Sequence, residues 1–393
     1  MRKFAANIAF TGTKYIYNPL IITSDDGEIL SVTEQSLESE EPAGLEYHSG
    51  MIIPGLINAH THIELSVLNQ TYQAKKGILD FVKHVISLRR TDAMPDKQSI
   101  ARIIHKMRFQ GIKAFADIAN SAVSFSAKVA DDTIVSKTFF EFFPLSQEQA
   151  IHQTKIFASC KSKFPQAEIY PAFHSPYAIA KSGLSTISKN FEQTEYSSLH
   201  FRESEFETSL KSDNNPLIRF YRDMNPDFSP AFVNPGFSNE QGEILKNLKQ
   251  FLLVHNIHIT ENEIENLLIW SEQQQVKLNF VICPRSNENI TGKLPPVDLL
   301  MKYQLNLCLG TDSLLSAPNL SIFDEMKFLQ QKLPALKFRE ILKMATLNAA
   351  NALGWSEDFG EIAVGKRPGL NLIEMKQLKR DVLHPDAQLK VLI

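Results

Sequence analysis

The sequence has 393 residues, of which 43% are hydrophobic and 22% charged, which is enough for a large core and a smaller accessory unit. The formal net charge of -3 argues against a nucleic-acid-binding surface, which needs a basic excess, so a small molecule is the expected partner. The three cysteines form no Cys-x-x-Cys pair, which excludes a thiolate zinc knuckle and a disulfide framework and is typical of a reducing cytoplasm.

The N-terminus carries no convincing export signal. Its basic start is followed by an apolar run that is short and interrupted by Asn7, so we expect no signal peptide. No uninterrupted apolar run reaches the length of a membrane-spanning helix. We therefore expect a cytoplasmic protein that has no membrane partner.

The two ends of the chain share a pattern of short strand-like runs broken by turns. Residues 29–33 form such a run near the N-terminus, and residues 370–373 form one after Pro368-Gly369. We therefore predict that residues 1–50 and residues 355–393 are the two parts of one small β-sandwich domain.

Between these ends, strand-like apolar runs alternate with amphipathic helical segments, which is typical of repeated β-α units. The predicted strands are 51–57, 112–118, 134–142, 167–173, 196–201, 251–254, 276–282 and 305–309. The predicted helices are 78–90, 96–109, 147–162, 261–272 and 337–353. Eight strands with intervening helices predict an α/β fold, a (β/α)8 TIM barrel over residues 51–354. The alternative, an open doubly wound sheet, lacks the expected Gly-x-Gly-x-x-Gly after its first strand.

One connection is unusually long and irregular. Residues 211–239 are rich in Asn, Pro, Ser and Phe, and they separate the fifth and sixth predicted strands. Long loops at the active face of a barrel often cover the substrate, and we favour this interpretation over plain surface decoration.

Histidines are concentrated where predicted strands end. His60 and His62 follow the first strand, His174 the fourth, His200 ends the fifth and His255 follows the sixth. Residues two apart in an extended segment point the same way, so the His60 and His62 imidazoles can converge on one ion. Because active sites of such barrels lie at the C-terminal strand ends, this distribution predicts a metal site there.

A carboxylate completes this predicted site. His60, His62 and His200 together with Asp312, which follows the eighth strand, can supply three nitrogens and one oxygen to a zinc-type ion. Such an ion lowers the pKa of bound water from about 15.7 to near 7. Asp312 alone would more often be a turn or capping residue, but the three histidines at matched strand ends favour the ligand role.

Two further polar residues lie close to these candidates in the sequence. Glu203 follows His200 by three residues and could transfer protons to a bound substrate. His255 could orient the attacking water or donate to a developing oxyanion, and its structural alternative is a buried histidine that caps a strand.

Together these segments resemble the amidohydrolase superfamily. The resemblance rests on six motifs in family order, at residues 54–62, 174–177, 200–204, 253–256, 283–287 and 309–313. They are most similar to the cytosine deaminase-like branch, which includes guanine, S-adenosylhomocysteine or methylthioadenosine and aminofutalosine deaminases and the triazine hydrolases.

The resemblance implies one divalent metal ion per chain, because the bridging lysine of binuclear relatives is missing near the end of strand four, where the next lysine is Lys181. Zinc is expected, with iron as the alternative. The implied metal ligands are His60, His62, His200 and Asp312. The implied catalytic residues are Glu203, His255 and Asp312. The predicted substrate-binding residues are His174, Tyr177, Arg285 and Asn287.

Arg285 departs from the residue that many members of this family carry at its position. If its guanidinium points inward, it predicts an anionic group on the substrate.

The implied activity is hydrolytic deamination of an amino-substituted heterocycle, such as a purine, a pyrimidine or a nucleoside-like compound. The alternatives are an amidohydrolase that cleaves a cyclic amide or another C–N bond, or that removes a halogen, and a catalytically inert binding protein. The family also allows a homodimer, although nothing in the sequence marks an interface.

Overall fold

The computed structural model describes residues 1–36, 42–68, 72, 75–89, 95–232, 243–374 and 382–393. Within these ranges the strands are β1 (Arg2–Phe10), β2 (Tyr15–Tyr17), β3 (Pro19–Thr23), β4 (Ile29–Glu34), β5 (Leu45–Pro54), β6 (Leu56–Thr61), β7 (Ile112–Ala119), β8 (Val135–Phe142), β9 (Glu168–Phe173), β10 (Tyr196–Phe201), β11 (Gln250–His255), β12 (Lys277–Ile282), β13 (Asn306–Leu309), β14 (Leu370–Glu374) and β15 (Gln388–Val391).

The α-helices of the same ranges are α1 (Ile63–Ser66), α2 (Ile78–Arg89), α3 (Lys97–Phe109), α4 (Phe125–Ala130), α5 (Gln147–Lys163), α6 (Lys181–Ser188), α7 (Pro216–Met224), α8 (Glu261–Gln274), α9 (Pro284–Thr291), α10 (Val297–Lys302), α11 (Ile322–Lys332), α12 (Phe338–Ala345) and α13 (Leu347–Leu353). Among the described residues, no helix is both long and apolar enough to cross a membrane.

Strands from both ends of the chain share one sheet. Its order is β15-β14-β5-β1-β3-β4, with β2 paired to β1, so strands that are far apart in sequence are direct neighbours. β5 is parallel to β1 and antiparallel to β14. The described residues here form a single seven-stranded sheet, and the second layer of the predicted sandwich remains a prediction.

The predicted first barrel strand, 51–57, is divided in the structure at Gly55. Residues up to Pro54 belong to β5 of the terminal sheet, and β6 begins at Leu56. A Cβ atom at Gly55 would lie 2.4 Å from the carbonyl oxygen of Pro368, so only glycine fits this close passage between two backbone segments. Tertiary pairing, rather than the continuous apolar run, therefore decides where one strand ends and the next begins.

Eight parallel strands carry the central part of the chain. They form two four-stranded sheets, β6-β7-β8-β9 and β10-β11-β12-β13, and the other seven predicted strands fall on β7 to β13. The sheet edges also meet: Thr61 and Asp312 form a parallel bridge, and the His200 amide donates to the His174 carbonyl over 2.9 Å. The predicted α/β class is thus confirmed.

Four of the predicted helices correspond to α2, α3, α5 and α8, and the fifth, 337–353, is interrupted at Thr346 between α12 and α13. Thr346 leaves helical geometry at φ -135° and ψ -93°. Its hydroxyl donates to the Leu342 carbonyl over 2.6 Å. The apolar periodicity of the sequence continues across Thr346, so the periodicity could not reveal the interruption of the helix.

A buried ion pair connects the first three parallel strands. Lys128 of α4 places Nζ 2.7 Å from Asp117 Oδ2 and 2.7 Å from Thr138 Oγ1. The second oxygen of Asp117 accepts the Ile63 amide over 3.0 Å, directly after His62. This pair therefore fixes the start of α1 and, through it, the segment that carries His60 and His62.

We predict that Lys128→Met lowers the free energy of unfolding by about 3–5 kcal/mol, because it leaves the buried Asp117 carboxylate without its cation. Lys302→Met is the matched control, since Lys302 pairs with Glu261 at the exposed surface, and its loss should change the free energy of unfolding far less. Urea denaturation of both variants measures the difference. Equal losses would contradict a stabilising role for the Lys128 pair.

Candidate active site

Three of the predicted metal ligands lie together at the C-terminal ends of the strands. The His60 ring centroid is 4.9 Å from that of His62 and 5.0 Å from that of His200. The Nε2 atoms of His62 and His200 are 3.2 Å apart, and all three side chains are buried. One ligand atom from each lies within 4.8 Å of the others, the spacing that a shared ion requires.

Asp312 is held beside these histidines with one oxygen directed at them. Its backbone amide donates to the His60 carbonyl, and its φ of 60° lies in the left-handed region. The hydroxyls of Ser286 and Ser316 donate to Oδ2 over 2.7 and 2.6 Å. Oδ1 is 3.6 Å from His62 Nε2, so the carboxylate keeps one oxygen for the histidine cluster.

The chemistry of this donor set fits a divalent cation. Neither ring nitrogen of the buried His60 has a hydrogen-bond partner among the described residues, a costly arrangement unless an ion takes the lone pair. Burial and the neighbouring His62 hold the pKa of His60 well below its usual range, which keeps the ring in the neutral, coordinating form. His200 donates from Nδ1 to the His174 carbonyl over 2.8 Å, which leaves Nε2 as its ligand atom.

Two catalytic candidates face each other beside this cluster. Glu203 Oε1 is 3.6 Å from His255 Nε2, and burial together with nearby Asp312 raises the pKa of Glu203 well above its usual range. The Asn287 amide lies 2.9 Å from His255 Nδ1 and, as a donor, leaves the ring hydrogen on Nε2. Burial and nearby His62 lower the pKa of His255 to about 3. The pair thus combines a carboxyl group whose protonated form is favoured with a neutral imidazole that donates from Nε2.

The predicted substrate-binding residues take different positions. His174 lines the cavity above the histidine cluster, whereas Asn287 contacts His255. Tyr177 is buried in the adjacent hydrophobic core, and it is not among the described residues that line the cavity.

The structure turns Arg285 away from the cavity. Its guanidinium donates to the Asn319 side chain over 3.0 Å, and it lies 3.6 Å from Asp324 and 3.5 Å from Glu325. These acidic partners on α11 satisfy its charge, so Arg285 provides no basis for an anionic substrate. Among the described lining residues, the arginine at the cavity is Arg89, in the last turn of α2.

The cavity walls were not predicted from the sequence. One apolar face of α2 lines the cavity, with Leu65, Phe143, Leu145 and two residues of α7. The α2 residues are Ile78, Phe81, Val82, Val85 and Ile86. Their helical spacing is visible in the sequence but also fits ordinary core packing.

The long connection contributes to the cavity. Tyr221 and Met224 of α7 lie in the predicted insertion 211–239 and line the cavity, which supports a substrate-covering role for its described part. Residues 233–239 of this prediction lie outside the described residues.

Sequence reasoning also missed Glu141, which lines the cavity from the end of β8. Its Oε1 is 2.6 Å from His174 Nδ1. Burial alone would raise the pKa of Glu141, but the contact with His174 outweighs it and lowers the pKa. The signal was a single acid within the aromatic run Phe139-Phe140-Glu141-Phe142-Phe143.

Known proteins with similar sequences support the predicted resemblance to the amidohydrolase superfamily. The model of the amidohydrolase family matches residues 235–391. The chain is 24% identical over 342 residues to a 5-methylthioadenosine/S-adenosylhomocysteine deaminase of Thermoanaerobacter pseudethanolicus, covering 82% of this chain and 73% of the relative. These matches confirm the resemblance predicted from the motifs.

Solved structures share the fold. Helicobacter pylori aminofutalosine deaminase in complex with methylthio-coformycin superposes with a TM-score of 0.78 at 20% identity, covering 96% of this chain and 93% of that one. An adenosine deaminase from Xanthomonas campestris with bound zinc gives a TM-score of 0.70 at 18% identity, covering 95% and 84%.

We predict that the purified protein carries about one divalent ion per chain and that His60→Asn reduces this occupancy at least about tenfold, because it removes a ligand from the centre of the cluster. His152→Asn, at an exposed position of α5, is the matched control and should retain the metal. Elemental analysis after dialysis measures both. Retention of the ion by the His60 variant would contradict the site.

Proposed function

We propose, from its membership of the amidohydrolase superfamily, that this protein is a metal-dependent hydrolase that deaminates an amino-substituted heterocycle. The observation that carries the proposal is the convergence of three buried imidazoles and a carboxylate beside the facing side chains of Glu203 and His255. Such a site combines a metal ligand set with a proton donor, which hydrolysis of an amino group from an aromatic ring requires.

For the fold, we propose that the two four-stranded parallel sheets are halves of one closed (β/α)8 barrel. The Thr61–Asp312 bridge and the His200–His174 backbone bond support closure at both seams. The proposed barrel domain covers residues 51–354, and residues 1–50 and 355–393 form the accessory domain.

Zinc is the proposed metal, held by His60, His62, His200 and Asp312. Imidazole nitrogens and a carboxylate oxygen are its usual donors, and the zinc-containing Xanthomonas structure of the same fold supports this choice. When bound, the ion supplies a Lewis acid that makes water nucleophilic at neutral pH.

The chain's own residues then move the protons. Glu203, whose raised pKa favours the protonated form, donates its proton to a ring nitrogen next to the carbon that bears the amino group. Asp312, whose Oδ2 is held by the two serine hydroxyls, would accept a proton from the attacking water and pass it to the amino group, which leaves as ammonia, while the proton of the new hydroxyl group returns to Glu203. His255 donates from Nε2 toward the negative charge that develops beside Glu203.

The cavity favours a substrate with an apolar extension. A flat heterocycle would lie against the histidines, while its substituent lies along the apolar face of α2 and against Tyr221 and Met224. The Thermoanaerobacter relative is named for 5-methylthioadenosine and S-adenosylhomocysteine, and the first of these carries an apolar methylthio substituent. We therefore propose a 5′-substituted adenine nucleoside as the substrate.

We predict that the metal-loaded protein releases ammonia from methylthioadenosine faster than from guanine or cytosine, because only methylthioadenosine has an apolar substituent to place against these walls. An ammonia assay over this panel measures the preference. Product mass separates the alternatives, since deamination exchanges an amino group for a hydroxyl whereas ring opening adds a whole water. No ammonia from any of these compounds would overturn the proposal.

We predict that Glu203→Gln lowers kcat by about 10²- to 10⁴-fold, because the amide cannot deliver the proton. Bound metal should be unchanged, since Glu203 is not one of the proposed ligands. Glu205→Gln, an exposed position of the same loop, is the matched control and should keep full activity. A Glu203 variant with wild-type kcat would exclude Glu203 as the proton donor.

A further inference from the structure

Glu141 is a buried carboxylate at the cavity that has no role in the proposed reaction. It lies at the end of β8 with only 4% of its surface exposed, and it lines the cavity. Its Oε1 is 2.6 Å from His174 Nδ1 and 3.5 Å from His200 Nδ1. Burial of a carboxylate is costly without strong partners, so these contacts define what Glu141 can do.

This cluster could be interpreted as a second metal site, formed by Glu141, His174 and His200. However, His200 Nδ1 already donates to the His174 carbonyl over 2.8 Å. That nitrogen therefore carries a hydrogen and offers no lone pair to an ion. One carboxylate and one imidazole remain, which is too few ligands for a zinc-type site.

We propose that Glu141 is a positioning residue that fixes the ring orientation and tautomer of His174, so that His174 Nε2 faces the bound substrate. This inference rests on the proposed function, because it assigns a role within the same cavity. Glu141 acts through His174 and takes no part in the reaction itself.

The hydrogen-bond chemistry determines the tautomer. A carboxylate can only accept, so His174 Nδ1 carries the hydrogen in the 2.6 Å contact. With Nδ1 engaged by the carboxylate, Nε2 is the ring nitrogen that remains available to the substrate. A carboxylate partner of this kind typically sets the orientation of a functional histidine.

Packing limits the other motions of this ring. Phe143 lies edge-on to His174 at a centroid distance of 6.0 Å, and the His174 backbone amide donates to the Phe142 carbonyl over 3.0 Å. The His174 backbone is thus fixed by β8 and one side of its ring by Phe143, which follows β8, while rotation about the side-chain bonds is restrained by Glu141. Loss of the carboxylate should therefore change substrate binding and leave the backbone in place.

The test uses binding of methylthio-coformycin, measured by calorimetry on the metal-loaded full chain, with metal content determined for each variant. Glu141→Ala should weaken binding by about 10- to 100-fold. Glu141→Gln should lose less, because its amide oxygen can still accept from Nδ1. Glu325→Gln, a buried carboxylate outside the cavity, is the control and should bind within about twofold of wild type.

The double variant Glu141→Ala/His174→Ala separates positioning from direct contact. If Glu141 acts only through His174, the double variant should bind the ligand as His174→Ala does, within about twofold. Metal content should stay at the wild-type level, because His200 keeps its bond to the His174 carbonyl.

Three results would overturn the inference alone: wild-type affinity in Glu141→Ala, additive losses in the double variant, or loss of metal from either Glu141 variant. The first would show that Glu141 has no role in binding, the second that it contacts the ligand directly, and the third that it acts through His200. Failure of the wild-type protein both to bind the ligand and to release ammonia would instead overturn the proposed function, and the inference with it.

Discussion

The structure depends on placing several imidazoles together in a buried site at the floor of the cavity. His60 is surrounded by His62, His200 and His255 at ring-centroid distances of 4.9, 5.0 and 5.7 Å. Such rings cannot all be protonated, and burial and neighbouring histidines lower the pKa values of His60, His200 and His255. Each neutral ring has a nitrogen lone pair that needs a partner. A cation can bind these lone pairs without protonating any ring. The proposed metal is therefore part of what makes this packing stable.

The hydrogen bonds around the histidine cluster follow one pattern. In each side chain of the candidate site, the protein holds one polar atom and leaves another free to face the cluster or the substrate. His200 uses Nδ1 on a carbonyl, Asp312 uses Oδ2 on two serines, and His255 uses Nδ1 on Asn287. The backbone is constrained at the same places, because Asp312 and His255 have φ values of 60° and 75°. Positive φ at non-glycine residues costs energy and is found where a site must be held in one geometry.

The histidine cluster could be predicted because it follows from local rules: alternation along a strand and the meeting of parallel strand ends. Arg285 could not be placed in this way, since its acidic partners on α11 lie about forty residues further along the chain. The division of residues 51–57 at Gly55 was equally invisible, because it depends on contact with Pro368 near the other end of the chain. Glu141 is visible in the sequence as an acid among aromatic residues. Its role could not be predicted, because that role depends on where the fold places His174.

The proposed catalytic residues and the proposed substrate-binding walls lie on different parts of the chain. The floor of the cavity comes from strand ends whose positions are fixed by the parallel sheets, and the walls come largely from α2 and α7, which connect those strands. Changes in the connections can alter the fit of a substituent without moving a metal ligand, because no described residue of α2 or α7 belongs to the histidine cluster. Glu141 and His174 lie between the floor and the walls of the cavity. They are strand-end residues that face the substrate, so they can relate the position of the ligand to that of the metal.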